Sequence, residues 1–347
     1  MPTNIWIKVA HTIAHIGFYS TTSSESLLIF LTLFYAEKNL GPFKYLMVTF
    51  ATLGILLSTC EFIIFPMLHS YKAGWIFFTN TRLFGLSIEH TEWGLVIFAC
   101  LYSSTIALLA VHFIYRYWAI FDDRKLVHFH SYKLLFWILY ALFFGVCWGM
   151  GMHVFGAPDD FTQGYMGPGM LQFYDLDIKN ISYITVVSYN PNGSIRWFNI
   201  TSPLIMTGIM LSQYSIMIYC GAKMHLEMQE KVSTLSPQLQ KLHQQIFRVL
   251  VLQVTLPTFF LFAPVFFIIY LPFLNWNVSL PSGIWLCGFT LFPALDAFLV
   301  MYIITDYRKA MRKILKRFIG DFMKRVTGDI ADVTEKSVTI AAVSSRT

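Results

Sequence analysis

Charged residues are scarce in this sequence, since only 13% of its 347 residues are Asp, Glu, Lys or Arg. Soluble proteins of this length carry about 25%. Hydrophobic residues make up 56% of the chain and aromatic residues 17%. Such a chain has too few polar side chains to cover its surface in water, so lipid must be its main solvent. The net charge of +6 does not indicate nucleic-acid binding, because the basic residues cluster beside apolar runs rather than on one soluble patch.

Cysteine is also scarce, and the recognisable catalytic patterns are absent. The five cysteines fall within or at the ends of apolar runs, so no disulfide framework is expected. The sequence has no Ser-His-Asp order, no phosphate loop and no cysteine pairs at zinc spacing. His11 and His15 have the spacing of metal ligands but lack the glutamate of the zinc protease signature, so they are expected to be rim residues. No catalytic residue, metal site or cofactor is predicted, and the protein is not expected to be an enzyme.

Seven long apolar runs are present. A helix needs about 20 residues to cross hydrocarbon, and lipid cannot satisfy open backbone groups, so each run predicts a spanning helix. The first run is too long for the apolar part of a signal peptide. The sequence therefore predicts an all-α membrane protein, a seven-transmembrane helix bundle over residues 1–304. The predicted spans lie at about 8–35, 45–68, 94–121, 133–152, 203–222, 246–273 and 282–304.

Prolines interrupt three of these spans and predict kinks. They are Pro66 in span two, Pro257, Pro264 and Pro272 in span six, and Pro293 in span seven.

The distribution of basic residues predicts an outer amino terminus. With that orientation the inner segments carry 20 Lys and Arg residues and the outer segments five, as the positive-inside rule requires. The four N-x-Ser/Thr motifs then all fall in outer loops. These candidate glycosylation sites are Asn180, Asn192, Asn277 and Asn199, of which Asn199 stands close to span five.

Two segments outside the spans have a predicted role. The outer loop 153–202 is long enough to cover the mouth of the bundle and contains a strand-like stretch, 181–188, although it could equally be a solvated, glycosylated loop. After span seven, residues 305–325 alternate apolar and basic faces, which predicts a short amphipathic cytoplasmic helix attracted to anionic lipid. Residues 326–347 are expected to be a flexible cytoplasmic tail.

Acidic residues occur inside the predicted spans, at Glu25, Glu61 and Asp296. A carboxylate at mid-bilayer costs roughly 2.5–3.5 kcal/mol, so each is expected to face the bundle. Glu61 and Asp296 are predicted to form an intramembrane polar core that repacks on activation. A cation site and a purely structural, hydroxyl-satisfied acid are open alternatives.

Arg116 stands between Tyr115 and Tyr117 at the rim of span three. Its planar guanidinium could pair with neighbouring groups in one state and with a partner protein in another. The alternative is a cation that only reaches the head groups. His112 lies one helical turn before Arg116 on the same face, where it could line a pocket, act in a switch or be an ordinary interior histidine.

Several strings resemble the nematode seven-transmembrane chemoreceptors of the Str type and the related Srj and Srh receptors. The resemblance extends over nearly the whole chain with the same spacing. The strings are Glu37–Met47, Glu61–His69, Val111–Tyr117, Leu239–Gln253 with Pro257, and Phe292–Asp296 with Tyr307 and Arg308.

This resemblance implies a G-protein-coupled receptor in sensory-neuron cilia that detects a small environmental or conspecific chemical. Its partners would be a small-molecule ligand, a heterotrimeric G protein and membrane lipids, with receptor oligomers left open. Tyr115 stands where rhodopsin-like receptors carry the acid before the arginine, and Ala297 stands where the family usually has proline after Asp296. Thr91 replaces the outer cysteine of the wider class, so its linking disulfide is absent. The residues expected to couple to the G protein are Tyr115, Arg116, Tyr117, Arg248 and Tyr307.

The ligand is expected to enter from outside between helices three, five, six and seven. The expected pocket residues are Tyr102, Ser103, His112, Phe267, Tyr270, Trp285 and Phe289. Two other classes are alternatives: a seven-helix ligand-gated channel subunit, whose amino terminus would lie inside, and a small-solute transporter. The sequence shows no repeat between its halves of the kind that transporters carry.

Overall fold

The computed structural model is mainly helical, with one small sheet. It describes residues 3–35, 41–82, 85, 87–233, 236–259, 263–274, 279–280 and 283–317. The helices are α1 (Thr3–Phe34), α2 (Phe43–Ile64), α3 (Ile88–Phe121), α4 (Lys133–Phe155), α5 (Asp160–Tyr174), α6 (Trp197–Val232), α7 (Pro237–Pro257), α8 (Ala263–Tyr270) and α9 (Gly283–Ile303), and α10 covers 305–317. The strands are β1 (Met67–Tyr71), β2 (Gly74–Thr79), β3 (Ser182–Val187) and β4 (Ser279–Leu280).

Four of the described helices are long and apolar enough to cross a membrane by themselves, namely α2, α3, α4 and α6 as far as Glu227. Residues Leu291–Ile303 of α9 form a shorter apolar helix. The element corresponding to span six is divided into α7 and α8. A π turn at residues 258 and 259 follows Pro257, where a proline removes a backbone hydrogen bond and opens the helix.

Helix α2 ends earlier than the sequence predicts. Phe65 has a left-handed backbone with φ of 49°, and its N–H donates to the Glu61 carbonyl at 2.8 Å. This is a common way to end a helix, and the following Pro66 cannot continue it. Pro66 therefore terminates α2 instead of kinking it, and the next residues belong to β1.

A four-stranded antiparallel sheet in the order β3-β2-β1-β4 lies across one end of the bundle. Because successive side chains of a strand point to opposite faces, the sheet contacts two different layers. One face packs on α3, α4 and α6 through Leu68, Trp75, Phe77, Ile184 and Val186. The other face packs on α5 through Met67, Ile76, Phe78, Tyr183 and Val187. Burial on both faces explains why the strands are apolar almost throughout.

Hydrogen bonds join the sheet to the helices on either side. The Ser182 hydroxyl donates to the Ile88 carbonyl at 2.6 Å, at the start of α3. On the other face, the Tyr165 hydroxyl of α5 accepts from the Ala73 N–H at 3.1 Å, and the Tyr174 hydroxyl lies 3.3 Å from Nδ1 of His69. The sheet and α5 thus close this end of the bundle, called the sheet end below.

Helix α5 begins at a strong capping position. Asp159 accepts a hydrogen bond from the Thr162 N–H at 2.7 Å and pairs with Arg196 at 2.5 Å. Partial burial opposes ionisation, but the hydrogen bonds from Thr162 and Arg196 hold the pKa of Asp159 below its ordinary value. The sequence leaves open whether the loop 153–202 covers the mouth of the bundle or is a solvated segment. In the structure, it covers this end of the bundle.

Helix α3 runs through the centre of the bundle, and its residues 103–113 are buried without interruption. It joins the sheet end to the opposite end, called the arginine end because Arg116 lies there. The four described cysteine side chains, Cys60, Cys100, Cys147 and Cys220, are free thiols, and the side chain of Cys287 lies outside the described residues.

Candidate functional site

A cavity lies directly beneath the sheet. Its volume open to the centre of a water-sized sphere is about 70 Å³, and one water occupies about 10–15 Å³ on this measure. There is therefore room for a small molecule rather than a single water. The lining comprises Leu68, Trp75 and Phe77 of the sheet, Phe98, Ala99 and Tyr102 of α3, Trp148 and Met152 of α4, Pro203, Met206, Thr207 and Met210 of α6, and Phe266, Ile269 and Tyr270 of α8.

The chemistry of this wall is almost entirely apolar, and no charged side chain among the described residues lines it. The hydroxyls of Thr207 and Tyr270 are joined by a short hydrogen bond, and the Tyr270 hydroxyl also donates to the Pro203 carbonyl at 3.3 Å. Since an unpaired charge would be costly here, the cavity suits an uncharged molecule with a polar group near Thr207.

The predicted pocket residues lie in different places. Tyr102 and Tyr270 line the cavity. Ser103 is buried on another face of α3, where its hydroxyl donates to the Phe144 carbonyl at 3.2 Å and holds α3 to α4. Phe267 is 70% exposed on the outside of α8 and is therefore not part of the cavity wall. The side chains of Trp285 and Phe289 lie outside the described residues.

His112 lies deeper, beside a second cavity of about 20 Å³ that is lined also by Gln253 and Asp296. The Gln253 amide donates to Oδ2 of Asp296 at 2.9 Å. Oδ1 of Asp296 and Nε2 of His112 are buried without a hydrogen-bond partner among the described residues. This cavity is about the size of one water.

The two other intramembrane acids are also buried in the interior. Both carboxyl oxygens of Glu25 are buried without a hydrogen-bond partner among the described residues. A side chain at Gly54 would meet Oε1 of Glu25 at 3.2 Å and Cβ of Pro293 at 3.1 Å, so this glycine lets α1, α2 and α9 approach closely. Glu61 is only 1% exposed. All three acids therefore lie inside the bundle rather than on its lipid surface.

Arg116 is buried at the arginine end, and its guanidinium carbon lies 3.6 Å from the centroid of the Phe43 ring. Among the described residues, its Nε and Nη2 have no hydrogen-bond partner and no carboxylate pairs with it. A cation–π contact with α2 thus takes the position of an acid–arginine pair.

The other predicted coupling residues differ in how deeply they are buried around this contact. The Tyr115 ring stacks on Phe43 at 5.2 Å. Tyr307 is fully buried, and its hydroxyl lies 3.1 Å from that of Thr32 in α1. Tyr117 is half-buried and Arg248 is exposed.

Helix α7 is fastened to the start of α10 beside this cluster. The Gln245 amide nitrogen donates to the Thr305 hydroxyl at 2.6 Å, and the Thr305 N–H donates back to the Gln245 oxygen at 3.3 Å. Movement of this end of α7 away from α10 would therefore have to break this pair.

The remaining predicted sites lie near the sheet end. Asn180 and Asn192 are exposed, whereas the buried Asn199 donates its amide to the Phe155 carbonyl at 2.9 Å. Asn277 lies outside the described residues. His11 stacks on Phe65 with ring centroids 4.0 Å apart, and the described residues contain no group of three metal-ligating side chains.

Sequence reasoning missed the residues that form the roof of the cavity, Leu68, Trp75 and Phe77. A signal was available, since Tyr71-Lys-Ala-Gly74 separates two short apolar runs and forms the hairpin turn, with φ of 51° at Lys72. Phe43 was also missed as the partner of Arg116, because the two residues are far apart in sequence.

The fold and these two sites define a class of protein: a helical-bundle membrane protein with a covered cavity at one end and a buried arginine at the other. Squid rhodopsin has the same fold, with a TM-score of 0.59 at 12% sequence identity over 92% of this chain and 87% of that one. The likeness confirms the predicted seven-helix bundle.

Residues 10–312 match the family described as serpentine type 7TM GPCR chemoreceptor Str. The G-protein coupled receptor str-33 of Caenorhabditis elegans is 32% identical over 90% of this chain and 91% of its own length. Serpentine receptor class r-10 of the same organism is 27% identical over 91% of this chain and 93% of its own length. The chain belongs to the Str family of serpentine chemoreceptors. It is an integral membrane, G-protein-coupled chemosensory receptor rather than an enzyme, as the resemblance implies.

Proposed function

We propose that this receptor binds its chemical ligand in the cavity beneath the sheet and signals to a heterotrimeric G protein through the arginine end. The observation that carries the proposal is the position of α3. The same buried helix supplies Tyr102 to the cavity wall and Arg116 to the opposite end, so a change at one end has a continuous packed element through which to reach the other.

The broken sixth element supports a movement of α7. The ligand would contact Phe266, Ile269 and Tyr270 of α8, next to the break that follows Pro257. A ligand that binds better when α8 is displaced would swing α7 and favour the active state by its difference in affinity. Release of the Gln245–Thr305 pair would then uncover Arg116 for the G protein.

The proposed orientation has the amino terminus and the sheet end outside the cell. The excess of basic residues in the segments near the arginine end supports it, as do the exposed motifs at Asn180 and Asn192 beside the sheet. These two asparagines and Asn277 are the proposed glycan sites, while Asn199 is removed from the set because its amide is buried and bonded. By the family resemblance, the proposed location is the plasma membrane of sensory-neuron cilia.

Lipid contact is proposed for α10. Lys309, Arg312, Lys313, Lys316 and Arg317 line one open groove on its surface, and each basic residue near an anionic leaflet contributes about 1 kcal/mol. The proposed receptor domain, 1–304, would thus be followed by a membrane-bound helix, and the proposed cytoplasmic tail, 326–347, lies outside the described residues. An oligomer of receptors is compatible with this arrangement.

The experiment that tests the proposed function is a calcium or cAMP response screen in cells that express the receptor and a matched G protein. Arg116→Ala should abolish the response while surface expression is retained, and Arg248→Ala, the exposed arginine, should reduce it less. A response that persists without any G protein and in Arg116→Ala would contradict the mechanism and favour a ligand-gated channel.

A further inference from the structure

The exposed part of the cavity wall lies almost entirely on one side. The wall residues from the sheet and α4 are buried, as are Phe98 and Ala99 of α3. In contrast, Phe266 of α8 is 42% exposed. Thr207 and Met210 of α6, and Ile269 and Tyr270 of α8, are half-buried. Apart from Tyr102 of α3, which is also half-buried, every wall residue that is described and partly or fully exposed belongs to α6 or α8. The cavity therefore opens sideways, through a gap between these two helices.

The surface around this gap is that of a membrane-facing helix bundle. Leu204 and Leu211 of α6 and Phe267 of α8 are more than half exposed, and a Cβ built on Gly208 would meet no described residue within 4 Å beyond its own turn of the helix. In an integral membrane protein, exposed apolar side chains of spanning helices face hydrocarbon. The gap thus leads into the lipid bilayer rather than into water.

The route from the aqueous side is closed by two packed layers. Leu68, Trp75 and Phe77 form the roof of the cavity, and α5 covers the other face of the same sheet. Strand β4 extends the roof, because Ser70 and Tyr71 of β1 pair with Leu280 and Ser279. Entry through the roof would require breaking sheet hydrogen bonds. Between the described residues of α6 and α8, the sideways gap is crossed by hydrogen bonds from the Tyr270 hydroxyl to Thr207 and Pro203.

From this geometry we infer that the ligand is a neutral, lipophilic molecule with one hydrogen-bonding oxygen, which enters from the bilayer between α6 and α8. A chemical from outside the cell would first dissolve in the outer leaflet. Its oxygen would then engage the Thr207 and Tyr270 hydroxyls while its apolar part fills the space beneath Trp75 and Phe77. The inference rests on the proposed function for its orientation and extends it to the class of ligand and the route.

The test uses the full-length receptor in phosphatidylcholine nanodiscs and two photoreactive probes with the same alkyl chain. One is a diazirine-bearing decanol, and the other carries a trimethylammonium group in place of the hydroxyl. After rapid mixing and flash photolysis, mass spectrometry identifies the labelled peptides. The neutral probe should label the peptides that contain Trp148 and Met206, and the charged probe should not. Equal labelling of the cavity by both probes would overturn the proposed ligand class.

The route is tested with a matched pair of variants on α6. Thr207→Trp places an indole in the gap and should slow cavity labelling at least about tenfold, which corresponds to a barrier raised by about 1.4 kcal/mol or more. Gly208→Trp places the same ring on the lipid-facing side and should leave the labelling rate unchanged. Phe266→Ala removes a side chain at the gap and should accelerate labelling, which keeps the route testable if Thr207→Trp does not fold. Unchanged rates in both Thr207→Trp and Phe266→Ala would overturn the route.

A disulfide that fixes the roof tests the alternative route, entry from the aqueous side. Tyr71 and Ser279 are facing partners of β1 and β4, a separation that a disulfide can bridge. Oxidised Tyr71→Cys/Ser279→Cys should label at the wild-type rate. Slower labelling in the locked roof would place entry on the aqueous side and overturn the inference while leaving the proposed function intact. A response that persists without any G protein and in Arg116→Ala would have the reverse meaning: it would contradict the proposed function and leave the ligand class and route intact, because labelling requires no G protein.

Discussion

The guanidinium carbon of Arg116 lies 3.6 Å from the centre of the Phe43 ring, and the Tyr115 ring stacks on the same phenylalanine. Phe43 belongs to the first turn of α2, so the contact fastens α3 to α2 at the arginine end. An arginine covered in this way cannot meet a partner protein. In the proposed mechanism, the aromatic ring would therefore perform the restraining role that an acid next to the arginine has in rhodopsin-like receptors.

The first prediction concerns basal signalling. Phe43→Ala removes a desolvated cation–π contact of roughly 1–2 kcal/mol, which should raise basal G-protein activation about five- to thirtyfold. Phe43→Trp keeps an aromatic face and should remain close to wild type. Nucleotide exchange on the G protein, measured without ligand and normalised to surface expression, gives the result.

Phe50→Ala is the matched control. Phe50 is also a buried phenylalanine of α2, but it contacts His112 with ring centroids 5.1 Å apart and is not stacked on Arg116. Its truncation should lower stability without raising basal activity. Equal basal activation in Phe43→Ala and Phe50→Ala would show that general loosening, rather than release of Arg116, is responsible.

The second prediction concerns ligand potency. Tyr270→Phe keeps the ring in the cavity wall and removes only the hydroxyl that bonds to Thr207 and Pro203. The loss of one hydrogen bond of about 0.5–1.5 kcal/mol should raise the ligand concentration that gives a half-maximal response about two- to tenfold. Concentration–response curves in receptor-expressing cells measure this shift. Phe267→Ala, at the exposed position three residues earlier, should leave the curve unchanged, and a shift of the same size there would contradict the assignment of the wall.

Long apolar runs allowed the spanning helices to be predicted, because length and composition alone separate a span from a loop. The ends were less predictable. The end of α2 depends on the left-handed backbone conformation of Phe65. A bulky residue such as phenylalanine rarely adopts this conformation, so it is set by the surrounding structure and not by the local sequence. Pro66 was visible in the sequence, but its presence does not distinguish a kink from an end.

The sheet was predicted only in part. Residues 181–188 were recognised as strand-like, but β1 and β2 were not, because a strand that is buried on both faces lacks the alternation of polar and apolar residues that identifies a strand. The cavity wall was hard to predict for a related reason. Tyr102 and Phe267 are both aromatic residues near the sheet end, and helical spacing fixes their position relative to their neighbours without fixing which face of the helix meets the bundle.

The third prediction concerns the Gln253–Asp296 hydrogen bond, which joins α7 to α9 at 2.9 Å. Gln253→Leu would leave a buried acid with neither oxygen bonded, at a cost of about 1–3 kcal/mol. The thermal unfolding temperature of the detergent-solubilised receptor should therefore fall. Asp296→Leu combined with Gln253→Leu should recover part of the loss, because both polar groups are then removed. A double variant that is as unstable as the sum of the single changes would show that the two side chains do not interact.

The fourth prediction concerns the cover at the sheet end. Asp159 caps α5 through the Thr162 N–H and pairs with Arg196, and replacing such a cap with alanine costs about 1 kcal/mol. Asp159→Ala should therefore lower the hydrogen-exchange protection of α5 about fivefold, since 1.4 kcal/mol corresponds to tenfold. The neighbouring Asp160→Ala should have a smaller effect, because its side chain is exposed and accepts no capping bond.

The pH dependence of this protection has a definite sign. The pKa of Asp159 is lower in the folded protein than its ordinary value of 3.8, so the unfolded segment binds the proton more readily than the folded one. Stabilisation by the carboxylate is then complete above the ordinary pKa and is lost as the pH falls through the lowered folded value. Protection of α5, corrected for intrinsic exchange rates, should stay constant from neutral pH to about pH 5 and decline below pH 3.8. Asp159→Ala should show no such decline, and a wild-type decline that begins near neutral pH would assign the effect to another group.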